Sequence, residues 1–388
     1  MTRGFLSLGS LTFGGIRDRI GRIMFSEESI MKYAVIGCGR ISELHIKAAL
    51  DCGLEFVGLC DKIREKALGR RTLLPTSDGV GIYTDFIELL ETEKPELVAV
   101  TTDSGCHAKV AIECIKRGIH TIIEKPIALS VADAREIVRL ADEMGVCVCA
   151  CHQNRFNKSV VAIHDAVEDG RFGKLFHGCA NIRWERDKSY YDLDTWRGTW
   201  VGDGGTLMNQ GIHNIDLLRW LMGGDIDEVF AYTDRLNHDY IEAEDLGLAL
   251  IKFSNGSYGV IEGTSNMYPD DFEETLCIFG KYGRVKAGGQ SVNTIEEWNF
   301  ADESVHPEDI KKITHEDPPN VYGFGHGALY KDVVDAINIG RKPYITAEDG
   351  MRAVELVLAI YKSAAEGRPV KLPLEDCATT DFIGRFDK

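Results

Sequence analysis

Two short polar constellations in this chain of 388 residues have the residue types to do chemistry. In IIEKPIALS (122–130), Glu124 and Lys125 end an apolar, β-branched run. In GGTLMNQGIHNIDLLRWL (204–221), Asn209 and His213 stand four residues apart, on one face at the start of an amphipathic helix. Such a set suits metal binding, activation of a nucleophile, or proton transfer at a hydroxyl. Zinc is disfavoured, because the second stretch offers one histidine and no H-E-x-x-H pattern. Leu207, Ile212, Ile215 and Leu218 recur at three- to four-residue spacing, so the helix is expected to bury them and leave Asn209 and His213 to a cleft. Asp216, one turn on, is expected to orient the imidazole. Taken singly, a lone helical histidine is more often structural, and Lys125 fits a surface lysine before a proline turn equally well.

Elements that would place Lys125 precede it. β-Branched runs at 33–37, 55–61, 97–101, 120–124 and 146–150 alternate with helical stretches at 41–51, 84–92, 106–117 and 131–144, the last capped by Ser130 with Asp133. That alternation predicts an α/β fold: a doubly wound parallel sheet covered on both faces. Ligands bind such sheets at the carboxyl ends of the strands, where Glu124 and Lys125 fall. VIGCGRIS (35–42) supplies Gly37 for a tight turn and Gly39 for close approach of a pyrophosphate, with Ser42 in place of the third glycine. By itself this motif is also compatible with a glycine turn that binds nothing. Asp61, 22 residues after Gly39, supplies a carboxylate for the ribose hydroxyls of NAD and against a 2′-phosphate, so NADP is less favoured. CVCACHQNR (147–155) invites a zinc reading, but thiols alternating along a strand share one buried face, and no metal is expected.

A net charge of −17 argues against nucleic acid as a partner and leaves room for a small anion held by local arginines. Eleven cysteines without paired short spacings predict reduced thiols and a cytoplasmic setting, and no apolar run is long enough for a membrane span. Residues 1–30 are expected to be an extension or a misplaced start, 31–152 a dinucleotide-binding domain, and 153–388 a substrate-binding and oligomerisation domain. In the latter, a helix at 157–169 leads to strands at 174–185, 226–235, 245–253 and 257–266, with a hairpin at Asn255-Gly256. Strands near 275–279, 284–287 and 292–300 and helices at 326–338 and 347–365 follow. The expected product is a mostly antiparallel open sheet with helices on one face. The other face either pairs with a second subunit, giving a homodimer or homotetramer, or is a mixed polar face of a monomer. Segment 183–200 concentrates Arg183, Arg186, Arg197, Trp184, Trp196, Trp200, Tyr190 and Tyr191, suited to phosphate, carboxylate and ring stacking, or else to an interface strand or a core-anchored loop. YGFGH (322–326) is a further candidate wall of that pocket.

Four motifs in order resemble one family: the glycine turn followed by His45, TDSGCH (102–107), EKP (124–126) and GG-x-L-x-N-x-G-x-H-x-x-D (204–216) look like the Gfo/Idh/MocA oxidoreductases. The likeness spans residues 31–388, and 183–200 with NQGIH is most similar to the nucleotide-sugar 3-dehydrogenases of UDP-N-acetylglucosamine-type sugars. It implies catalysis by Lys125 and His213. It implies cofactor contacts from Gly37, Gly39, Arg40, Ile41, Asp61, Thr102, Ser104, His107, Glu124, Lys125, Gln153, Trp196 and Arg197, and substrate contacts from Asn209, Arg155, Arg183, Tyr190 and Gln210. Asp103 stands where proline is common, which is neutral. Many sugar and inositol dehydrogenases of the family carry aspartate where this chain has Asn209, a departure that favours the nucleotide-sugar branch. The expected reaction is NAD-dependent oxidation of a sugar 3-hydroxyl in polysaccharide biosynthesis. Its rivals are a free-sugar or inositol dehydrogenase, an NAD-dependent glycosidase, and a non-enzymatic cofactor sensor.

Overall fold

The computed structural model describes residues 30–289, 291–302, 306–315 and 323–387. Six strands, β1 (Lys32–Ile36), β2 (Glu55–Cys60), β3 (Gly81–Tyr83), β4 (Leu97–Val100), β5 (His120–Ile123) and β6 (Val148–Ala150), form an all-parallel sheet in the order β3-β2-β1-β4-β5-β6. The crossovers carry α1 (Ser42–Asp51), α2 (Arg64–Arg71), α3 (Phe86–Glu93), α4 (His107–Lys116) and α5 (Val131–Met144). Every residue of β4 is fully buried, as a strand covered on both faces requires. The strand order reverses between β1 and β4, which opens a crevice at their carboxyl ends. Ser130 caps α5 by accepting from the Asp133 N–H at 3.0 Å.

The second half contains α6 (Lys158–Glu168), β7 (Leu175–Arg183), α7 (Lys188–Tyr191) and α8 (Ile212–Met222), the last entered through a π-helical turn at Leu207–Gly211. Then come β8 (Ile226–Asp234), β9 (Leu246–Phe253), β10 (Tyr258–Thr264), β11 (Glu273–Gly280), β12 (Gly283–Gly288), β13 (Thr294–Phe300), α9 (Pro307–Thr314), α10 (Gly325–Ile339), α11 (Ala347–Glu366) and β14 (Val370–Lys371). Eight strands assemble in the order β13-β12-β11-β7-β10-β9-β8-β14, and β7–β10 is the one parallel neighbour pair in that order. Along β9, Gly247, Ala249, Ile251 and Phe253 point into the core under α8 and α11, while Leu248, Leu250 and Lys252 point out. The outer face therefore leaves Tyr232, Leu248, Leu250 and Tyr258 exposed. α10 returns to the first sheet, where the Tyr330 and Tyr33 hydroxyls meet at 2.7 Å.

α2 and β3 are additions to the sequence reading. α2 buries only Ala67, and β3 is three half-buried residues, so neither leaves an apolar period to detect. All eleven cysteines are free thiols, and Cys147, Cys149 and Cys151 are buried around β6. No helix among the described residues is long and apolar enough to cross a membrane. Apart from Ile30, the expected N-terminal extension lies outside the described residues.

Candidate active site

The carboxyl end of β5 delivers Lys125 to the π-helical turn, so the two constellations meet. Lys125 Nζ donates to the Asn209 main-chain oxygen at 2.8 Å and to its side-chain Oδ1 at 3.1 Å. The Asn209 Nδ2 donates in turn to Asp203 Oδ1 at 2.6 Å. Asn209 was expected to meet substrate; instead both ends of its amide are engaged by protein. A lysine ammonium has three donors, so one remains after the two to Asn209; a neutral amine keeps both donations and turns a lone pair to the same place. Burial lowers the Lys125 pKa, with Glu124 and Asp203 opposing the shift. π-Helical turns recur at functional sites because the extra residue re-aims side chains, and here Asn209 lies within one.

His213 is half-buried on the first turn of α8, its Nδ1 buried without a protein hydrogen-bond partner. Burial first, then Lys125 and His152, hold its pKa well below the ordinary value, so the ring is neutral. Its edge faces His152, with ring centroids 6.0 Å apart. Asp216 does not orient it. That carboxylate is gripped by Arg155, Nε to Oδ2 at 2.7 Å and Nη2 to Oδ1 at 2.6 Å. Arg155, expected at the substrate, is 1% exposed and belongs to this internal pair.

Glu124 is buried beneath Lys125. His45 Nε2 lies 2.9 Å and His326 Nε2 3.8 Å from its Oε1, and its Oε2 accepts from the Lys125 N–H at 3.1 Å. Burial raises its pKa, but the two histidines outweigh this and leave it well below the usual carboxylate range. Burial depresses His45, so a neutral ring donates from Nε2 and accepts the Tyr330 hydroxyl at Nδ1, 2.8 Å away. Cys151 joins His45, Glu124 and His326 in a group whose ligand atoms lie within 4.8 Å of one another, a possible metal donor set. Its closest pair is at hydrogen-bond distance, where a proton already satisfies both atoms.

The glycine turn suits a dinucleotide. A Cβ on Gly37 (φ +97°) would lie 2.4 Å from the Thr101 carbonyl carbon, whereas one on Gly39 would meet open space. No side chain caps α1 at Ile41; the Glu43 and Leu44 N–H groups turn back to the Arg40 and Ile41 carbonyls, which leaves the start of the helix at Ile41 and Ser42, next to exposed Arg40, to face a diphosphate. Asp61 accepts from the Cys38 and Ile63 N–H groups, both at 2.8 Å, which fixes the carboxylate at the end of β2. Arg70, not singled out from the sequence, donates to the Gly39 carbonyl at 3.0 Å and clamps the turn; the polar helix α2 hid it. Thr102 and Ser104 follow β4 at the crevice. His107 ties the two loops together, with ring nitrogens 2.7 Å from Pro126 O and 3.0 Å from Thr102 O. Gln153 is buried after β6, and its carbonyl would clash with any Cβ on Gly325. Gly325 is thus a packing glycine; Tyr322 lies outside the described residues.

Segment 184–197 forms a ladder in which the guanidinium of Arg186 lies 4.6 Å from the Trp184 ring centre, and that of Arg197 lies 4.5 Å from both Tyr190 and Trp196. Arg197 Nη1 and Gln210 Nε2 donate to the Tyr190 hydroxyl at 2.6 and 2.9 Å, and Gln210 Oε1 is buried without a protein partner. Arg183 departs from expectation: alternation along β7 sets it on the outer sheet face, paired with Glu262 and Glu273. Trp200 is wholly buried against Tyr361 and Phe382, as core.

The family described as "Oxidoreductase family, NAD-binding Rossmann fold" matches residues 31–152, and "Oxidoreductase family, C-terminal alpha/beta domain" matches residues 164–372. The WlbA dehydrogenase from Bordetella pertussis, solved in complex with NADH and UDP-GlcNAcA, is 34% identical, with a TM-score of 0.80 over 89% of this chain and 100% of that one. Its counterpart from Chromobacterium violaceum is 33% identical, with a TM-score of 0.82 over 91% and 99%. Myo-inositol 2-dehydrogenase of Thermotoga maritima is 27% identical over 353 residues, 88% of this chain and 98% of that one. With a glycine turn fitted to a dinucleotide and a lysine at the sheet's carboxyl edge, the chain belongs to the Gfo/Idh/MocA family and is an NAD-dependent oxidoreductase.

Proposed function

We propose that the chain oxidises the 3-hydroxyl of a UDP-N-acetylglucosamine-type sugar, UDP-N-acetylglucosaminuronate first among them, in cytoplasmic polysaccharide biosynthesis. The observation that carries this reading is the Arg186–Tyr190–Arg197 ladder, joined through Gln210 to the turn that holds Lys125. Stacked rings and guanidinium groups suit a uracil, a diphosphate and a sugar carboxylate, and a free polyol needs none of them. Likeness to the two WlbA dehydrogenases supports the same choice.

NAD, when bound, supplies the hydride acceptor. Neutral Lys125, anchored by two donations to Asn209, presents its lone pair and takes the hydroxyl proton at Nζ as the hydride leaves C3. His213, held neutral by burial, orients the same hydroxyl. Glu124 steadies Lys125 from below through the main-chain N–H. Asp61 would hold the adenosine ribose.

The test is a single-turnover assay. Protein with stoichiometric NAD is mixed with UDP-N-acetylglucosaminuronate, UDP-N-acetylglucosamine, myo-inositol or glucose, and NADH absorbance is followed. A burst with one UDP-sugar only is expected. A burst with free polyols only would overturn the reading in favour of an inositol or free-sugar dehydrogenase, the alternative to which the Thermotoga maritima relative points.

A further inference from the structure

Asp203 belongs to none of the motifs above, yet it is 2% exposed and stands one amide from Lys125. Its Oδ2 accepts from the Gly198 N–H at 2.8 Å, and its Oδ1 from Asn209 Nδ2 at 2.6 Å. This contact fixes which way the Asn209 amide faces. A carboxylate only accepts, so the NH2 end must turn to Asp203 and the oxygen to the Lys125 Nζ, 3.1 Å away. Reversing the amide would set oxygen against carboxylate and NH2 against ammonium.

Resting on the reading of Lys125 as the proton acceptor, we propose that Asp203 is a positioning residue: through the Asn209 amide it holds Lys125 with one site open to the cleft and supplies the buried counter-charge for its ammonium form.

The groups around Asp203 fit that role. Lys125 and Arg197 attract its charge, while Glu244, Tyr191 and Tyr361 share its burial. Burial raises its pKa to about 6 against the pull of the Gly198 N–H, Arg197, Lys125 and Asn209. As pH falls through that value, Asp203 takes a proton and Lys125 loses its counter-charge.

The experiment measures Lys125 acetylation by acetic anhydride against pH in the full-length protein, read by peptide mass spectrometry. Asp203→Asn is expected to make Lys125 about tenfold more reactive at a given pH, because loss of a nearby opposite charge favours the neutral amine. The double variant Asp203→Asn/Asn209→Asp, which moves the carboxylate beside the lysine, is expected to restore low reactivity. Should Asp203→Asn not fold, the wild-type curve decides: an inflection near the Asp203 titration supports the proposal, and a single smooth titration overturns it. Superposition of the Asp203→Asn and wild-type curves would also overturn it. This readout needs no sugar, so silence in the turnover assay would sink the proposed substrate while leaving Asp203 to be judged here.

Discussion

Arg155 and Asp216 form two parallel hydrogen bonds, 2.7 and 2.6 Å, between the loop after β6 and the helix that carries His213. Arg155 also reaches Asp349 at 3.1 Å and lies 4.7 Å from the Trp220 ring centre; Arg219 joins Asp349 from the same helix at 3.1 Å. The network fixes α8 against the Rossmann sheet and so fixes where His213 stands.

Removing one partner of such a buried pair leaves an uncompensated charge. Arg155→Met is expected to cost about 3–5 kcal/mol, and Arg183→Met, whose partners are half-exposed, under about 1 kcal/mol. Urea unfolding midpoints check the contrast; equal losses would count against it. Burial opposes ionisation of Asp216, but Arg155 outweighs it and depresses its pKa. The pair's contribution is therefore present above the unfolded value of about 3.9 and is lost as pH falls through the lower folded value.

With Lys125 as the proposed proton acceptor, turnover carries a pH signature. Its pKa is lowered by burial, so oxidation, which needs the neutral amine, is expected to rise with pH along a limb below lysine's usual value of about 10.4. Lys125→Met should abolish that limb and slow hydride transfer by roughly 10²–10⁴, with NADH affinity retained. His213→Ala should slow the step but leave the limb, because the ring is already neutral. A limb that disappears with His213 instead would reverse the two roles.

Much of this was legible beforehand where the signal is local. The parallel sheet followed from apolar runs such as LVAV of β4, and the Ser130 cap from its spacing to Asp133. What escaped depends on which partner a polar side chain finds in space. Asp216 lies one turn from His213 along the helix, yet an arginine 61 residues away takes it. Asn209 looked free because sequence spacing does not reveal Asp203 bonding the far end of its amide. Arg183 sits in a segment rich in candidate site residues, but strand alternation turns it to the outer sheet face. Near-periodic apolar patterning is collective and survives such surprises; the pairing of single charges is not.

Asp61 is pinned by two backbone N–H groups, so its carboxylate cannot swing away from an extra phosphate. Asp61→Ser is expected to weaken NAD binding and narrow the preference for NAD over NADP by about tenfold or more. Nucleotide titration by protein fluorescence reads both affinities. An unchanged ratio would remove Asp61 from the ribose site.

Tyr232, Leu248, Leu250 and Tyr258 are exposed on the outer face of three adjacent strands, with Lys252 beside them, and pairing with a second copy of the chain is predicted there. Leu250→Glu is expected to lower the mass seen by light scattering to that of a monomer. A wild-type chain that is already monomeric would refute the interface.

Glu244 is the last group with an unusual burden. Its Oε1 accepts from the Leu207 N–H and from the Tyr361 hydroxyl, both at 2.8 Å, and so caps the π-helical turn that carries Asn209. A Cβ on Gly205 (φ +94°) would lie 1.8 Å from Glu244 Oε2, so that glycine is what admits the carboxyl. Burial raises its pKa to about 8 although the Leu207 N–H and Tyr361 pull downward. The folded chain thus holds a proton that the unfolded chain releases at about 4.3. Stability should fall as pH rises between those two values and level off above them. Glu244→Gln keeps an acceptor for Leu207 and Tyr361 without the titration. The difference in melting temperature, variant minus wild type, should grow from about pH 5 to about pH 8. A difference independent of pH would mean that the carboxyl ionises normally and that the turn tolerates its charge.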